Sequence, residues 1–429
     1  MQLKNSIQKY LSKQKLGQWC LELQSKQKFN NVIVIPALNE NKTLPKLLKS
    51  LELNSSAHLK ETLVLIVINN TYAHKEEIIK NNQELLSFLR YEIKKNSKLN
   101  IDFINASSNG KELPTKQGGV GFARKLGMDL ALNYFDLENN RKKLLISLDA
   151  DCEVSENYLE EIIEVFNLNK INSAVTNIEH KFPKDTARKE AIMSYELFLR
   201  YYVLGLQYAN SQYAYLSIGS SIICDIETYL KVGGMNKRKA GEDFYFLEKL
   251  NKISRVGKIE NAVVYPSARI SDRVPFGTGP ALQKIIRNYD EEFTLYNPKI
   301  FTLLKLFLKI FYEIENIHQL EQALTDIKKE SKEIWDFLEQ QNFRSDWKKI
   351  FTNSKTIKQV SIQKLNWMDG FRTLKLVHYL RDKVFSNINW KDAVMELFHL
   401  CMIDIKNNIT DLTKLEEKEY FLKIFRDQK

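Results

Sequence analysis

Apolar positions along the chain follow two rhythms. Short, unbroken runs rich in β-branched residues occur at NVIVIP (31–36), LVLIVI (63–68), IDFIN (101–105) and LLISL (144–148). Between them, apolar residues recur at three- and four-residue spacing in KTLPKLLKSLEL (42–53), in HKEEIIKNNQELLSFLR (74–90) and, behind an opening of glycines, in GGVGFARKLGMDLALNYF (118–135). Buried strands alternating with amphipathic helices predict an α/β fold, a mostly parallel sheet flanked by helices. After Ser155 the rhythm loosens. It predicts strands over 173–180, 216–224 and 256–266, a long aromatic helix over 185–209 and a helix over 242–250. From about Ala281 onward the pattern is helical with no clear strand, and the first 29 residues read as a basic helical extension with Leu3, Ile7, Tyr10 and Leu11 at helical spacing. The expected division is an extension over 1–30, an α/β domain over 31–275 and an all-helical C-terminal region over 276–429, with the change near the loop PSARISDRVPFGTGP (266–280).

Composition narrows this picture modestly. A chain of 429 residues is long enough for two domains, and its net charge of +11 permits an anionic partner such as nucleotide phosphates, a lipid surface or nucleic acid. Cys20, Cys152, Cys224 and Cys401 are far apart and form no CxxC, so neither a zinc knuckle nor a redox pair is indicated, and a reduced cytoplasmic protein is expected. No secretory signal pattern is visible. The stretch closest to a membrane span, IFTLLKLFLKIFYEI from Ile300, is interrupted by Lys305 and Lys309 and reads as a core helix, so at most peripheral membrane contact, at the inner face, is expected.

The candidate chemistry begins where the fourth predicted strand ends, in LLISLDADCEV (144–154). In parallel sheets ligands collect at the carboxyl ends of strands. Asp149 and Asp151, one residue apart, raise each other's proton affinity unless a cation lies between them, and hard Mg²⁺ or Mn²⁺ is often held by one or two carboxylates plus substrate phosphates. A calcium loop is excluded, because Val154 stands where an EF-hand needs glycine and a strand rather than a helix precedes it. In isolation, solvated loop carboxylates capping the next helix would be the better explanation of the pair. A second acidic pair stands in GGMNKRKAGEDFYFLEKL (233–250), where Glu242 and Asp243 open a helix and Asp243 is placed as a general base.

Taken in order, NVIVIPALNENKTLPKLLKSL, LLISLDADCEV and GGMNKRKAGEDFYFLEKL resemble family 2 glycosyltransferases of the GT-A fold over about residues 31–275. The resemblance implies a nucleotide-sugar donor, Mg²⁺ or Mn²⁺ on Asp151 with Asp149 facing the ribose or sharing the metal through water, and usually inversion at the anomeric carbon. It places the nucleoside by the loop carrying Pro36, Ala37, Asn39 and Glu40 and by Asn69, which stands where the family often has an aspartate reading the base. It places Arg124 and Lys116 near phosphates, and makes Asp243, with Glu242 beside it, catalytic. Arg269 and Arg273, in a loop that carries no histidine to complete a metal shell, are expected to close over the diphosphate. His180 and the aromatic residues Tyr195, Tyr201 and Tyr202 read as structural.

The sequence therefore favours a metal-dependent inverting glycosyltransferase acting on a hydroxyl acceptor, glycan or lipid-linked. Two other classes compete with it. A nucleotidyltransferase needs a Gly-rich basic loop directly after the first strand, which ALNENKTLP lacks. A catalytically silent module binding nucleotide-sugar or nucleic acid is permitted by the charge, but no helix-turn-helix or ordered aromatic-basic RNA motif is present.

Overall fold

The computed structural model describes residues 2–24, 26–95, 97–168, 171–270, 277–287, 292–405 and 412–428. They divide into two compact units, Met1–Ile192 with Ser217–Lys284, and Met193–Leu216 with Ile285–Gln428. The helix Thr186–Tyr208 runs from the first into the second.

The first unit is built on an eight-stranded mixed sheet. Its strands are β1 (Asn31–Ala37), β2 (Thr62–Asn69), β3 (Asn100–Ala106), β4 (Leu144–Ser147), β5 (Glu153–Val154), β6 (Ser173–Ile178), β7 (Ile222–Asp225) and β8 (Gly257–Tyr265), in the spatial order β3-β2-β1-β4-β7-β6-β8-β5. β3, β2, β1 and β4 pair in parallel, β7 lies antiparallel between β4 and β6, β8 is parallel to β6, and β5 is antiparallel to β8. The α/β expectation holds. Every residue of β1 and β2 is buried, which is why these strands read as continuous apolar runs rather than alternating ones. The registers Ala37↔Ile68 and Val34↔Ser147 bring the exits of β1, β2 and β4 to one edge of the sheet.

The helix Val120–Ala131 packs on β1 and β2 through Gly127. A Cβ there would lie 2.4 Å from Val34 Cγ1 and 2.8 Å from Val67 Cγ2. The same helix anchors the N-terminus. Lys125 Nζ donates to Tyr10 Oη at 2.9 Å and pairs with Asp129 at 2.8 Å, while Tyr10 and Tyr229 both donate to Asp129 Oδ1, at 2.8 and 2.6 Å. Tyr10 also sits against Gly234, where a Cβ would come within 1.9 Å of its hydroxyl.

Three expectations about elements need correction. The N-terminal extension is helical only over Gln2–Leu11. Gly17, at φ +56°, turns the chain, and Leu21 and Glu22 then lie along the β3 edge, with Glu22 N–H donating to Phe103 O at 2.9 Å. An exposed strand edge offers hydrogen bonds that the helical spacing of residues 3–11 does not reveal. The single strand expected over 216–224 is a 3₁₀ turn, Gly219–Ser221, followed by β7. In the second unit the pattern after Ala281 is helical as expected, but Thr294–Leu295 and Ile388–Asn389 pair as a short antiparallel ribbon.

The second unit has an aromatic core. Phe311 and Trp347 lie 4.6 Å apart between ring centroids, and Trp347 and Trp367 lie 5.2 Å apart. The helix Lys299–Glu313 buries Ile300, Phe301, Leu304, Phe307, Leu308 and Phe311 there, and the Lys305 ammonium stands 4.0 Å from the Tyr208 ring centroid. Tyr201 is fully buried and donates to the Tyr296 carbonyl; Glu196, also buried, pairs with Arg200 and Arg426, each at 2.8 Å. Among the described residues no helix is long and apolar enough to cross a membrane.

The Gly127 contact sets a stability test. Gly127→Ala should cost about 1–3 kcal/mol through overpacking against Val34 and Val67. Urea unfolding should also show part of that loss recovered when Val34→Ala is added, because the nearer clashing methyl is then gone.

Candidate active site

The chain leaves β4 with Leu148 N–H bonded to the Val34 carbonyl at 3.2 Å. Ala150 and Cys152 are buried, and the turn between them closes with Cys152 N–H on the Asp149 carbonyl at 3.2 Å. Asp149 and Asp151 thus stand at the sheet edge where β1 also ends. Glu242 and Asp243 reach the same place from the first turn of the helix Glu242–Ile253, which begins after Gly241 at φ +68°. Two glycines permit this approach. A Cβ on Gly121 would lie 2.3 Å from the Arg238 carbonyl oxygen and 2.9 Å from Glu242 Cβ, and one on Gly119 would lie 3.0 Å from Lys239 Cα.

Two arginines tie the cluster together. Arg124, 1% exposed, donates from Nη2 to Asp149 Oδ1 at 2.5 Å and from Nη1 to Glu242 Oε1. Gly219 lies against that guanidinium, and a Cβ there would be 2.7 Å from Nη2. Arg269 donates from Nη1 to Glu40 Oε2 at 2.8 Å and from Nη2 to Glu40 Oε1, while Nη2 also lies 3.0 Å from Asp151 Oδ2. Glu40 further accepts from the Thr43 hydroxyl. The sequence places Arg124 near phosphates; its terminal nitrogens are instead committed to two buried or half-buried carboxylates.

Burial dominates the electrostatics. It lifts the Asp151 carboxyl from the ordinary carboxylate range to about 7, with Arg269 opposing and Asp149 and Glu40 reinforcing. Burial also lifts Asp243 to about 7; neighbouring Glu242 reinforces the shift, and Arg124 opposes it. Glu40 is raised by burial against the pull of Arg269. Asp243 Oδ1 accepts from the Phe244 backbone N–H at 2.8 Å, whereas Glu242 is held by Arg124. Of the two acids at the helix start, Asp243 is therefore the one whose proton exchanges near neutral pH without breaking a buried ion pair.

The remaining predicted residues are placed as follows. Pro36 and Ala37 are buried at the end of β1. Asn39 is exposed at φ +61°, and its backbone N–H donates to Asn82 Oδ1 at 3.0 Å. Asn69 is buried at the end of β2 with its Oδ1 unpartnered. Lys116 is exposed on the turn before the helix Val120–Ala131, and among the described residues it pairs with none of the five carboxylates. Arg273 lies outside the described residues. His180 is buried at 2% exposure. Sequence reasoning missed Asn82, which is fully buried and whose Nδ2 donates to the Asn69 carbonyl at 3.1 Å and to Asn70 Oδ1 at 2.9 Å. It joins the loops after β1 and β2. The signal was an asparagine on the face that otherwise buries Leu85, Leu86 and Leu89.

Among the described residues no three His, Cys, Asp or Glu side chains converge on one metal position. The donor set nonetheless fits a hard divalent ion held by one or two carboxylates with substrate phosphates. All its ligating atoms are oxygen, and five carboxylates (Glu40, Asp149, Asp151, Glu242, Asp243) face two guanidinium groups. A diphosphate would meet net negative charge there unless a cation came with it.

No protein-family model matches the chain, and no curated protein sequence matches it. Solved structures give a distant likeness to Staphylococcus aureus TarS. A TarS structure aligns at 15% identity over 70% of this chain and 49% of that one, with a TM-score of 0.35, so the chain spans about half of its length. TarS 1–349 in complex with UDP-GlcNAc aligns at 16% identity over 82% of this chain and 92% of that one, with a TM-score of 0.39; the complex with UDP gives 13% identity, the same coverage and a TM-score of 0.37. At these scores the likeness is loose and carries no argument about the chemistry.

The site geometry makes two predictions. Asp151 and Asp243 have folded-state values near 7, above an unfolded value of about 3.9. The folded protein therefore binds more protons than the unfolded chain across that interval, and in the presence of a chelator its stability should fall as pH rises from about 4 to about 7. Urea midpoints across this range should slope downward for the wild type and flatten in the Asp151→Asn, Asp243→Asn double variant. Separately, Arg124→Met should cost about 3–5 kcal/mol, because it leaves buried Glu242 without its counter-charge; chemical denaturation reads this directly.

Proposed function

We propose that the chain is a metal-dependent, inverting glycosyltransferase that moves a sugar from a nucleotide-sugar donor to a hydroxyl acceptor. The observation that carries this reading is the position and state of Asp243. It is a half-buried carboxylate on a helix start, held near a neutral pKa, and braced through Arg124 and Glu242 to the Asp149-x-Asp151 turn at the carboxyl edge of a parallel sheet. A base needs a pKa near the working pH and a fixed position beside the reacting groups.

In this mechanism Asp243 accepts the acceptor hydroxyl's proton as that oxygen forms its bond to the anomeric carbon. The bond from that carbon to the diphosphate oxygen breaks on the opposite face, so configuration inverts and the nucleoside diphosphate leaves with its electron pair. Glu242 pairs with Arg124 and keeps the helix start in place. The loop through Pro36, Ala37 and Asn39 and the end of β2 at Asn69, tied together by Asn82, hold the nucleoside. Arg269 supplies donors to the diphosphate. Asp151 would hold Mg²⁺ or Mn²⁺, which when bound offsets the charge of the departing diphosphate. The acceptor is a glycan or lipid-linked hydroxyl met with at most peripheral membrane contact; burial of the apolar side chains of Lys299–Glu313 within the second unit supports that limit.

Asp243→Asn tests the assignment. It should lower turnover by about 10²–10⁴-fold, the usual range for general base catalysis, and leave donor affinity within about threefold. The donor is first identified by a thermal-shift screen of nucleotide-sugars with and without Mn²⁺, and turnover is then measured by release of nucleoside diphosphate. A variant with near-normal turnover would remove Asp243 from the role.

A further inference from the structure

We infer that Glu40, rather than Asp149, is the second carboxylate of the metal position, and that the Arg269 guanidinium holds that position in the metal-free protein. The inference rests on the metal-dependent reading above and goes beyond it, because paired aspartates at a strand end direct attention to Asp149 and Asp151. The structure pairs the carboxylates differently. A single nitrogen, Arg269 Nη2, bonds Glu40 Oε1 and lies 3.0 Å from Asp151 Oδ2, while Nη1 lies 2.8 Å from Glu40 Oε2. Both carboxylates thus already reach one positively charged nitrogen, and an ion in its place, bound to oxygen at about 2.0–2.1 Å, would draw them closer together than that nitrogen does.

Asp149 is the poorer candidate because of its own partner. Taking its carboxylate for a metal would strip one counter-charge from Arg124, whose side chain is 1% exposed, whereas the Arg269 side chain is 31% exposed. Displacing a guanidinium that can return to water costs less than unpairing one that cannot. Glu40 is also built into place. Its side chain is 5% exposed, it accepts the Thr43 hydroxyl, and the preceding residue, Asn39, is fixed at positive φ by Asn82. A guanidinium that leaves Asp151 when an ion arrives is free to donate to a diphosphate, the role the sequence assigns to Arg269.

Binding of Mn²⁺ alone, without donor, tests this by calorimetry and by the electron paramagnetic resonance signal of free Mn²⁺. Glu40→Gln should weaken binding at least about tenfold, and Asp149→Asn, with the same change of charge, by less than about threefold. Arg269→Gln should tighten binding by about tenfold and Arg269→Lys by less, because the first removes the resident cation and the second keeps the charge. Unchanged affinity in Glu40→Gln with loss in Asp149→Asn would overturn the assignment while leaving metal dependence intact. Weaker binding in Arg269→Gln would overturn the idea of a resident cation. A wild-type protein that binds no Mn²⁺ would overturn both this inference and the metal-dependent reading. Unfolding curves check that each variant is folded, and the Arg269 pair decides the matter if Glu40→Gln is not.

Discussion

A buried guanidinium organises the first unit. Arg124 comes from the helix on β1 and β2, and it joins Asp149, at the end of β4, to Glu242, 118 residues away in the chain. Such a group is tolerable in the interior only while its counter-charges are present. Several local features serve that condition. Gly219 turns where a side chain would strike the guanidinium, which is why a 3₁₀ turn interrupts the apolar run before β7, and Gly121 admits the loop that delivers Glu242. The fold and the candidate chemistry thus share one ion pair network, and disturbing either acidic turn reaches the other through Arg124.

The same network sorts the acids by environment. Asp149 and Glu242 are both bonded to Arg124. Asp151 and Asp243, each next in line along the chain, are left in buried surroundings with weaker compensation, and their carboxyls rise to about 7. Two neighbouring pairs of acids are thus separated by environment rather than by identity.

Much of the sheet was readable because β1 to β4 are buried along almost their whole length and are mostly apolar, with Asn31, Asp102, Asn105 and Ser147 as the polar exceptions inside those runs. Asp149 and Asp151 were readable because charged pairs directly after such a run are unusual, and Glu242 and Asp243 because they open a helix behind a glycine turn. The partners of these residues were not. Nothing in the spacing of Glu40, Arg124 and Arg269 shows that one arginine would be sealed inside and the other left partly in water, since that depends on which loops cover them. Asn82 was hidden for a related reason. A polar residue on an apolar helix face looks like a defect until the loops whose backbone it satisfies are in view. The extended stretch after Leu11 escaped notice because its partner, the β3 edge, lies about eighty residues downstream.

The Tyr10 contact has a consequence for how the chain matures. Its hydroxyl is held by Lys125 and Asp129, and its ring packs against Tyr229 beside the close approach to Gly234. During synthesis Tyr10 emerges with its helix 115 residues before Lys125 and more than two hundred before Tyr229 and Gly234, the other part of the surface that receives it. Domains assemble from the N-terminus as the chain appears, yet here an early helix completes its contacts only when a much later stretch of its unit has been made. The helix is in effect a latch set in two steps, and a nascent chain halted before Tyr229 would offer it Lys125 and Asp129 but not the ring of Tyr229 or the approach to Gly234.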